Sequence, residues 1–382
     1  MKDQKRGHFL LEEKYELGKL VTFIPNKGTP IHKWFYFKEG FSRDFVTLMF
    51  DWLNVKPGKW VLDPFCGSGT TLLSSKEAGI NAVGVDASPL AVFVTQVKAA
   101  DYNVDELKEA AEDLFSKKFR KYDIKGLSVL VGRSFSRYSL EDIIFFREEI
   151  REIPDLKIRN FFTLALMNTA NEVTYAYKDG AVIKIHARKH IPPFRKMFKR
   201  IVKKMIRDLK RMEYKGSEIK VYLGDARRLN FLEDSQFDAV ITSPPYLNKI
   251  EYTKVYSIEY ELFFGTVKVD GLRAYIGLNP KNIKDLFPEL NLPEVAKAYF
   301  QDMNDALTEI YRVMKKKAKC AIVVAEGVFP DKVVPVDLLL AKLAEEIGFD
   351  VEKIVVANYR VATRDRTVKI GKARESIIIM KK

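Results

Sequence analysis

The sequence has few of the residues that build disulfides and metal sites, and it has no long apolar run. Two cysteines occur among 382 residues, Cys66 and Cys320, and they lie far apart and match no metal-ligand spacing. No uninterrupted apolar stretch reaches about 18 residues and none follows the basic start, so neither a membrane span nor a signal peptide is expected. These absences predict a reduced, cytoplasmic protein without a metal centre.

Glutamine is also scarce, whereas charged residues make up 30% of the chain; the four glutamines are Gln4, Gln96, Gln236 and Gln301. This composition is typical of a thermophilic protein surface rich in lysine and glutamate. The charges are unbalanced, however, with a formal net charge of +14 and a pI near 9.4. An excess of cations favours polyanionic partners, and nucleic acid is the first of these. The two interpretations are compatible.

The chain does contain enough apolar residues, 47%, to build a large core. Segments 59–62 and 80–85 have the composition of buried strands, and each leads into a helical pattern. Such a β-α-β-α unit predicts a parallel sheet with right-handed crossover connections. The alternation of strands and helices resumes at Ile219–Leu223 and continues to the end of the chain.

Residues 100–217 interrupt this alternation. Most of the segment has helical character, and from Phe194 to Leu209 the apolar residues keep helical spacing throughout, which is the strongest helix prediction in the chain. Because the sheet does not need this segment, we expect a basic, mostly helical insertion and a candidate target-recognition region. The chain then divides into 1–99 with the first half of the sheet, 100–217, and 218–382 with the second half.

A glycine loop follows the first strand of the unit, with the sequence Asp-Pro-Phe-Cys-Gly-Ser-Gly-Thr-Thr at 63–71. A strand–loop–helix junction of this kind places backbone N–H groups at the carboxyl edge of a parallel sheet, where such sheets bind ligands. The loop lacks the lysine of a phosphate-binding loop, and Gly67-Ser68-Gly69 lacks the third glycine of the dinucleotide fingerprint. The loop alone is therefore weak evidence for any one ligand.

Two carboxylates at the ends of later strands narrow the choice of ligand. Asp86 could accept both hydroxyls of a ribose, and Asp225 could accept from an adenine amino group. Each aspartate alone could equally be a solvated strand-end carboxylate. Together with the glycine loop, and without a phosphate-binding lysine, they favour an adenosine with a zwitterionic tail, and S-adenosylmethionine is that molecule.

A rigid polar corner, Ser243-Pro244-Pro245-Tyr246, follows the predicted buried strand 238–242. Proline fixes its own φ, removes its N–H and pushes the preceding residue to an extended conformation. The corner therefore holds a hydroxyl and carbonyl oxygens as fixed acceptors, and an aromatic ring follows at once. This suits a planar substrate with an exocyclic amine. The alternative is a proline-rich turn that only closes the strand.

The two motifs together resemble the amino-methyltransferases that modify exocyclic amines of nucleic-acid bases, over residues 31–99 and 218–382. The serine form of the second motif resembles the cytosine-N4 branch, since the adenine-N6 branch usually has Asp or Asn there. The resemblance implies a Rossmann-like class I methyltransferase with a mostly parallel, seven-stranded sheet. It implies catalytic roles for Ser243, Pro244, Pro245 and Tyr246, and cofactor contacts from Asp63, Phe65, Gly67, Gly69, Asp86, Asp225 and Ala226.

The N-terminal segment adds two narrower resemblances. Lys38-Glu39-Gly40-Phe41-Ser42 resembles the N-terminal cofactor motif of the family, which implies that Phe41 and Ser42 contact S-adenosylmethionine. The stretch from Phe23-Ile24-Pro25-Asn26-Lys27-Gly28 to Phe41 resembles archaeal enzymes that methylate N4 of a 16S ribosomal RNA cytosine. Past the corner, a substrate-covering loop is expected, and its candidate contacts are Asn248, Tyr252 and Tyr256.

The positive charge is concentrated between Lys178 and Arg211, where 13 lysines and arginines stand against two aspartates, a net charge of +11. We expect phosphate and base contacts just before the Pro192-Pro193 break, with one more on the helix after it, from Lys184, His186, Arg188, Lys189 and Arg195. The rest of the basic helix surface is by default a solvated face. Arg364 and Arg366, with Arg360, form a second candidate group.

These observations predict an S-adenosylmethionine-dependent cytosine-N4 methyltransferase that acts on structured RNA, ribosomal RNA first, and that adds one or two methyl groups. The alternative is the same chemistry on DNA, because the corner contacts the base and not the 2′-hydroxyl. A third hypothesis is a basic RNA-binding factor that keeps the fold without turnover, although such a protein does not need both motifs.

Overall fold

The structure is a computed structural model, and it describes residues 4–6, 9–37, 40–179, 182–186, 191–212, 216–247, 252–265, 276–277, 282–364 and 368–382. Its thirteen described strands are β1 (Gln4–Arg6), β2 (Phe9–Glu13), β3 (Trp60–Asp63), β4 (Asn81–Asp86), β5 (Ala176–Asp179), β6 (Val182–Ile185), β7 (Ile219–Leu223), β8 (Phe237–Thr242), β9 (Met314–Ala325), β10 (Gly327–Val328), β11 (Val333–Val334), β12 (Asp350–Arg364) and β13 (Val368–Lys381).

The described α-helices are α1 (Arg43–Trp52), α2 (Thr70–Ala78), α3 (Pro89–Ala99), α4 (Val104–Ser116), α5 (Val129–Ser134), α6 (Arg137–Arg151), α7 (Leu156–Val173), α8 (Phe194–Leu209), α9 (Tyr252–Val255), α10 (Ser257–Glu259), α11 (Glu294–Val313) and α12 (Val336–Ile347). A π-helical turn, Tyr260–Phe264, continues from α10. Across the described ranges, none of the helices combines the length and the apolar character that crossing a bilayer requires.

The central sheet has nine strands in the order β1-β2-β12-β13-β9-β8-β3-β4-β7. From β9 to β7 all neighbours are parallel, whereas β13 runs antiparallel to both β9 and β12. The expected α/β architecture with a mostly parallel sheet is confirmed. The predicted count of seven strands was too low, because the polar-looking start of the chain adds β1 and β2 at the edge, where β2 pairs with β12 and buries Phe9 and Leu11.

Alternation along the strands gives the sheet two buried faces. Leu62, Val240 and Ile322 point to one face, where they pack in a core with α11 and α12. Their neighbours Val61 and Ile241 point to the other face and pack with α1. Because side chains of a strand alternate between faces, continuous apolar runs such as Ala239-Val240-Ile241 are required at the centre of a sheet covered on both sides.

Helix ends follow from local sequence chemistry. Ser42 is the N-cap of α1, and its Oγ accepts from the backbone N–H of Phe45. Helix α8 spans Phe194–Leu209 as predicted, and Pro193 stands at its N-cap position. Between β4 and β7 the chain forms α3 to α8 and the hairpin of β5 and β6, and these helices share a core with Trp34. The mostly helical segment 100–217 thus also contains two short strands.

Candidate active site

An open cavity lies where β3, β4, β7 and β8 end. Parallel strands bring their carboxyl ends to one edge of the sheet, so the loops that follow them share this space. The cavity is lined by the glycine loop at 63–68, the turn Asp86-Ala87-Ser88, Gly224 and Ala226, and the corner Ser243–Tyr246. Two motifs that are far apart in sequence are therefore neighbours in the fold.

The glycine loop is held by the carboxylate at the end of β4. Asp86 accepts from the backbone N–H of Gly67 at 2.8 Å and from that of Ser88 at 2.8 Å. Burial raises the pKa of Asp86 to about 6, although both backbone hydrogen bonds act to lower it. Gly67 has a φ of +51°, in the left-handed region that favours glycine. The loop conformation therefore depends on a residue that was expected to bind the cofactor.

Asp63, at the end of β3, joins the loop to the strand that precedes the corner. Its carboxylate accepts from Thr71 Oγ1 at 2.6 Å, from Thr242 Oγ1 at 2.7 Å and from the backbone N–H of Phe65 at 3.2 Å. Burial raises its pKa to about 6. Phe65 and Cys66 also line the cavity. Burial and the nearby Asp86 raise the pKa of the Cys66 thiol well above its ordinary value, so a thiolate nucleophile is disfavoured there.

Gly69 lies outside the cavity and serves the packing of the loop. Its φ is +80°, and a Cβ at this position would lie 2.6 Å from Cγ2 of Thr95. Thr95 in turn donates from Oγ1 to the carbonyl of Gly67 at 2.9 Å. Thr95 of α3 therefore occupies the space next to the Cα of Gly69, and the cofactor contact expected from Gly69 stays a prediction.

Two further sequence-predicted cofactor residues are engaged elsewhere. Asp225 is bound by the guanidinium of Arg227 through two nitrogens at 2.8 and 3.0 Å, and it does not line the cavity, whereas its neighbour Ala226 does. Ser42 is buried and caps α1, whereas the adjacent Phe41 lines the cavity. Of each predicted pair, one residue lines the cavity, Ala226 or Phe41, and the side chain of the other is engaged within the protein. The cofactor contacts of all four residues stay predictions.

The Ser-Pro-Pro-Tyr corner has an acidic partner that the sequence did not indicate. Tyr246 Oη lies 3.1 Å from Oε1 of Glu375, and Arg360 Nη2 lies 3.0 Å from Oε2 of the same carboxylate. Glu375 is buried and Arg360 is half exposed. Burial and the charge of Glu375 raise the pKa of Tyr246 well above its usual range. Both residues line the cavity with Ser243.

Glu375 reaches the corner because β13 runs antiparallel to β9 and enters the sheet at its carboxyl edge, with Glu375 opposite Ala325. The signal available in the sequence was an acid placed directly before the apolar run Ser376–Met380. A charged residue at the start of a buried strand needs a partner, and Arg360 lies on the paired strand.

Aromatic residues form the opposite wall of the cavity. Tyr256 stacks on Phe37 with ring centroids 5.7 Å apart and an interplanar angle of 3°. Lys178 of β5 places its Nζ 3.5 Å from the centroid of the Tyr256 ring and pairs with Glu259 at 2.7 Å. Tyr260 shares a hydrogen bond with Ser88 at 2.8 Å. The expected covering loop is helical over 252–264; Tyr252 is described only as backbone of α9, and Asn248 lies outside the described residues.

A buried lysine supports the glycine loop from below. Lys98 of α3 donates from Nζ to the carbonyl oxygen of His32 at 3.0 Å and to that of Ser68 at 3.1 Å. Burial lowers its pKa to about 7. The role of Lys98 was not predicted, because the sequence does not show that the side chain of a single lysine near the end of a helix is buried.

Three of the residues predicted from sequence to contact nucleic acid have described side chains, and all three are engaged within the protein. Lys184 pairs with Asp179 across the β5–β6 hairpin at 2.5 Å, and His186 stacks on Tyr177. Arg195 pairs with Asp142 at 2.8 Å and lies over the rings of three phenylalanines. The side chain of Arg364 and all of Arg188, Lys189 and Arg366 lie outside the described residues.

The charges around the cavity indicate the kind of ligand that fits it. Its described lining includes three carboxylates, Asp63, Asp86 and Glu375, and a single lysine or arginine, Arg360, which pairs with Glu375. Such a lining does not suit phosphates, which need cations. It suits a molecule with hydroxyl donors and a positive charge, and the residues present therefore fit S-adenosylmethionine, whose sulfur is a sulfonium.

Comparison with known proteins gives a partial family match and several full-length similarities. Residues 52–96 match the model of the N6/N4 methyltransferase family, described as DNA methylase. Type II methyltransferase M.BsoBI from Geobacillus stearothermophilus is 27% identical, with 100% of this chain and 91% of the relative covered. Type II methyltransferase M.AvaI from Nostoc sp. is 26% identical, with 93% and 85% covered.

Among solved structures, a SAM-dependent methyltransferase from Methanosarcina mazei has a TM-score of 0.32 and 11% identity, and the match covers 88% of this chain and 96% of that one. A similarity of this size supports nothing beyond what the topology already indicates. The strand order, the cavity and the family match agree with one another. The chain is an S-adenosylmethionine-dependent methyltransferase with a Rossmann-like fold, and over residues 52–96 it is similar to the N6/N4 DNA methylases.

Proposed function

We propose that this protein transfers a methyl group to the exocyclic N4 amine of cytosine in nucleic acid, with DNA as the first candidate polymer. The observation that supports this is the presence of the glycine loop and the Ser243–Tyr246 corner in one cavity. A methyl-donor site and an amine-acceptor site must be adjacent for direct transfer, because in-line attack requires the reacting atoms to be about 3–3.5 Å apart.

On the donor side, Asp86 would accept from the ribose hydroxyls, and Phe65, Gly67 and Ala226 would line the adenosine. When bound, S-adenosylmethionine supplies a methyl group attached to a positively charged sulfur. Gly67 offers close approach of the backbone, since a Cβ there would meet the ring of Phe37 at 3.1 Å. Phe41, from the N-terminal segment, closes this side of the cavity.

On the acceptor side, Ser243 Oγ and the Pro244 carbonyl would accept the two N–H groups of the amine. Cytosine N4 is a poor nucleophile because its lone pair is delocalised into the ring. Two acceptors fixed in advance favour a pyramidal nitrogen whose lone pair points at the methyl group, and preorganised groups of this kind avoid a reorganisation cost during the reaction. The proton on nitrogen becomes acidic once the C–N bond forms, so no strong base is needed at the start.

Tyr246 would stack on the base, an interaction worth roughly 1–3 kcal/mol. Its hydroxyl contact to Glu375 anchors the hydroxyl end of the ring, and Tyr256 and Phe37 face the cavity from the other wall. A base inside a duplex cannot reach this site, so the target must be flipped out or already unpaired. We propose the segment 100–217 as the region that recognises the sequence or structure around the target.

Two observations bear on whether DNA or RNA is the substrate. The matched family is described as DNA methylase, and this favours DNA over the ribosomal RNA that sequence analysis put first. The full-length relatives are Type II methyltransferases and not the archaeal 16S ribosomal RNA enzymes that the N-terminal segment was expected to resemble, so that prediction was wrong. Structured RNA is the second candidate, because the corner contacts the base and not the 2′-hydroxyl.

The test is incubation with S-adenosylmethionine and either unmodified DNA or unmodified ribosomal RNA, digestion to nucleosides, and mass spectrometry. N4-methyldeoxycytidine from DNA is the expected product, and N4-methylcytidine or its dimethyl form from RNA alone would select the second candidate. N6-methyladenine would refute the assignment of Ser243 to cytosine. Ser243→Ala serves as the control, because it removes one acceptor and leaves the residues of the donor side unchanged.

A further inference from the structure

Helix α8 presents a continuous band of cations on one face. Six exposed lysines and arginines of α8 and two of the turn that follows it form this band, and we call the eight the basic face: Lys196, Lys199, Arg200, Lys203, Lys204, Arg207, Lys210 and Arg211. At 3.6 residues per turn the six on the helix fall within an arc of roughly 140°. The apolar residues, such as Phe198 and Val202, occupy the opposite side and are buried against the neighbouring helices.

None of these eight side chains forms an ion pair with an acid in the part of the chain that the structure describes. The other long surface helices are different. In α4, Lys108 pairs with Asp105; in α6, Arg137 pairs with Glu141; and in α11, Arg312 pairs with Glu309. The nearby cations Lys184 and Arg195 are paired as well. Unpaired charge is thus concentrated on α8.

Such a face is costly unless an anion binds it. Like charges at i, i+4 destabilise a helix by about 0.2–0.5 kcal/mol per pair, and the basic face contains several, including Lys196 with Arg200 and Lys203 with Arg207. A surface that served only solubility would contain acids at these spacings, as the other helices do. The single acid of α8, Asp208, is buried and binds Lys33 and Trp34 instead.

We propose that the basic face binds the sugar-phosphate backbone of the nucleic-acid substrate, an inference that rests on the proposed function. A helix of 16 residues is about 24 Å long, so it can lie along roughly seven successive phosphates of one strand at 3.4 Å each. Contacts of this kind position the polymer and do not identify its sequence. The hairpin of β5 and β6 precedes α8 in the chain and contacts the cavity wall through Lys178 and Tyr256.

The experiment compares two variants that each lose three positive charges. Lys196→Gln/Arg200→Gln/Lys203→Gln changes the basic face. Lys56→Gln/Lys316→Gln/Lys317→Gln is the matched control, because these lysines are exposed at the amino-terminal edge of the sheet, opposite the cavity. Binding to duplex DNA and to ribosomal RNA fragments is measured across a range of salt concentrations, without cofactor.

For the basic-face variant we expect the slope of log K against log salt to fall in magnitude by about 2.7 on duplex DNA, or about 2.1 on a single strand. At 0.15 M salt this corresponds to a roughly 100-fold weaker complex. The control variant should keep the wild-type slope. Equal slopes for the basic-face variant and wild type, or equal losses in both variants, would overturn the proposal.

Thermal unfolding separates this role from a structural one, since removal of like-charge repulsion should leave the melting temperature of the basic-face variant unchanged or raise it. Binding is measured without turnover, so the two proposals can fail separately. If binding depends on salt through the basic face but no methylated nucleoside forms, the proposed reaction is refuted and the proposed binding surface is supported. Methylation by the wild type, together with an unchanged salt slope in the basic-face variant, would support the proposed reaction and refute the proposed binding surface.

Discussion

Oη of Tyr246 lies 3.1 Å from Oε1 of Glu375, so the aromatic ring of the corner is anchored by a carboxylate from the last strand of the sheet. Arg360 holds that carboxylate from the neighbouring strand at 3.0 Å. The hydroxyl end of the ring is therefore held in place before any base enters. A preorganised stacking surface of this kind lowers the entropy lost when a flipped base is bound.

The first prediction concerns Tyr246. Tyr246→Ala should lower kcat/KM by about 5- to 150-fold, the equivalent of the roughly 1–3 kcal/mol of base stacking, and should leave the affinity for S-adenosylmethionine nearly unchanged. Steady-state kinetics and calorimetric titration measure the two quantities. Tyr246→Phe keeps the ring and should retain most activity. Equal losses of turnover and of cofactor affinity in the alanine variant would contradict the stacking role.

The second prediction concerns the pH dependence of cofactor binding. The pKa of Asp86 is raised to about 6, and the ionised carboxylate is the form that accepts from ribose hydroxyls. Protonation therefore competes with binding, and the Kd for S-adenosylmethionine should rise about tenfold from pH 7.5 to pH 5. Calorimetric titration at several pH values measures this.

The comparison for that experiment is Asp86→Asn, which cannot ionise. It should bind the cofactor more weakly at pH 7.5 and lose most of the pH dependence, with any remainder assigned to Asp63, whose pKa is also about 6. Asp86→Ala should weaken binding further, because the hydrogen bonds from Gly67 and Ser88 are lost as well. An unchanged Kd in both variants would remove Asp86 from the binding site.

The third prediction separates backbone strain from close packing in the glycine loop. Gly69 and Gly58 both have a φ of +80°, but a Cβ at Gly69 would meet Thr95 at 2.6 Å and one at Gly58 would meet nothing within 4 Å. Gly58→Ala should cost about 1–2 kcal/mol for the left-handed conformation alone. Gly69→Ala should cost about 1–3 kcal/mol more, because the clash displaces Thr95.

Denaturant unfolding of both variants gives the two free energies. The cofactor affinity of Gly69→Ala should fall too, since Thr95 holds the carbonyl of Gly67. Equal destabilisation by the two substitutions would mean that α3 accommodates the added Cβ without a measurable energetic penalty. Backbone strain alone would then explain the glycine at position 69.

The fourth prediction concerns Lys98 and stability. Burial lowers its pKa from 10.5 to about 7, so between these values the unfolded chain binds a proton that the folded protein does not. The free energy of unfolding therefore rises with pH between about 7 and 10.5, and below pH 7 the full cost of burying the charged lysine is present. Relative to Lys98→Met, the free energy of unfolding of the wild type should increase by about 1.4 kcal/mol per pH unit between pH 7.5 and 9.5. A constant difference over that range would show that the lysine stays charged in the fold.

Much of the fold and part of the site could be predicted from sequence, because both depend on local patterns. The apolar periodicity of Phe194–Leu209 predicted both ends of α8 correctly. The glycine loop and the Ser243–Tyr246 corner were recognised from their own short sequence motifs. The separate roles of neighbouring residues were not predicted, since Phe41 and Ser42 were both expected to contact the cofactor, whereas Phe41 lines the cavity and Ser42 caps α1. The terminal strands β1 and β2 were missed, because short polar segments at a sheet edge have little apolar signal.

The sequence by itself determined that a strand-end glycine loop and a proline-fixed corner exist, and that the chain has an excess of positive charge. Only the tertiary structure decided which residues complete the site and which charges are free. Glu375 and Arg360 reach Tyr246 through the pairing of β12 with β13 and of β13 with β9, and Lys98 reaches the loop by turning into the core. Lys184 and Arg195 proved to be paired while the face of α8 is not, because an ion pair depends on distance in space, which spacing along the chain does not reveal.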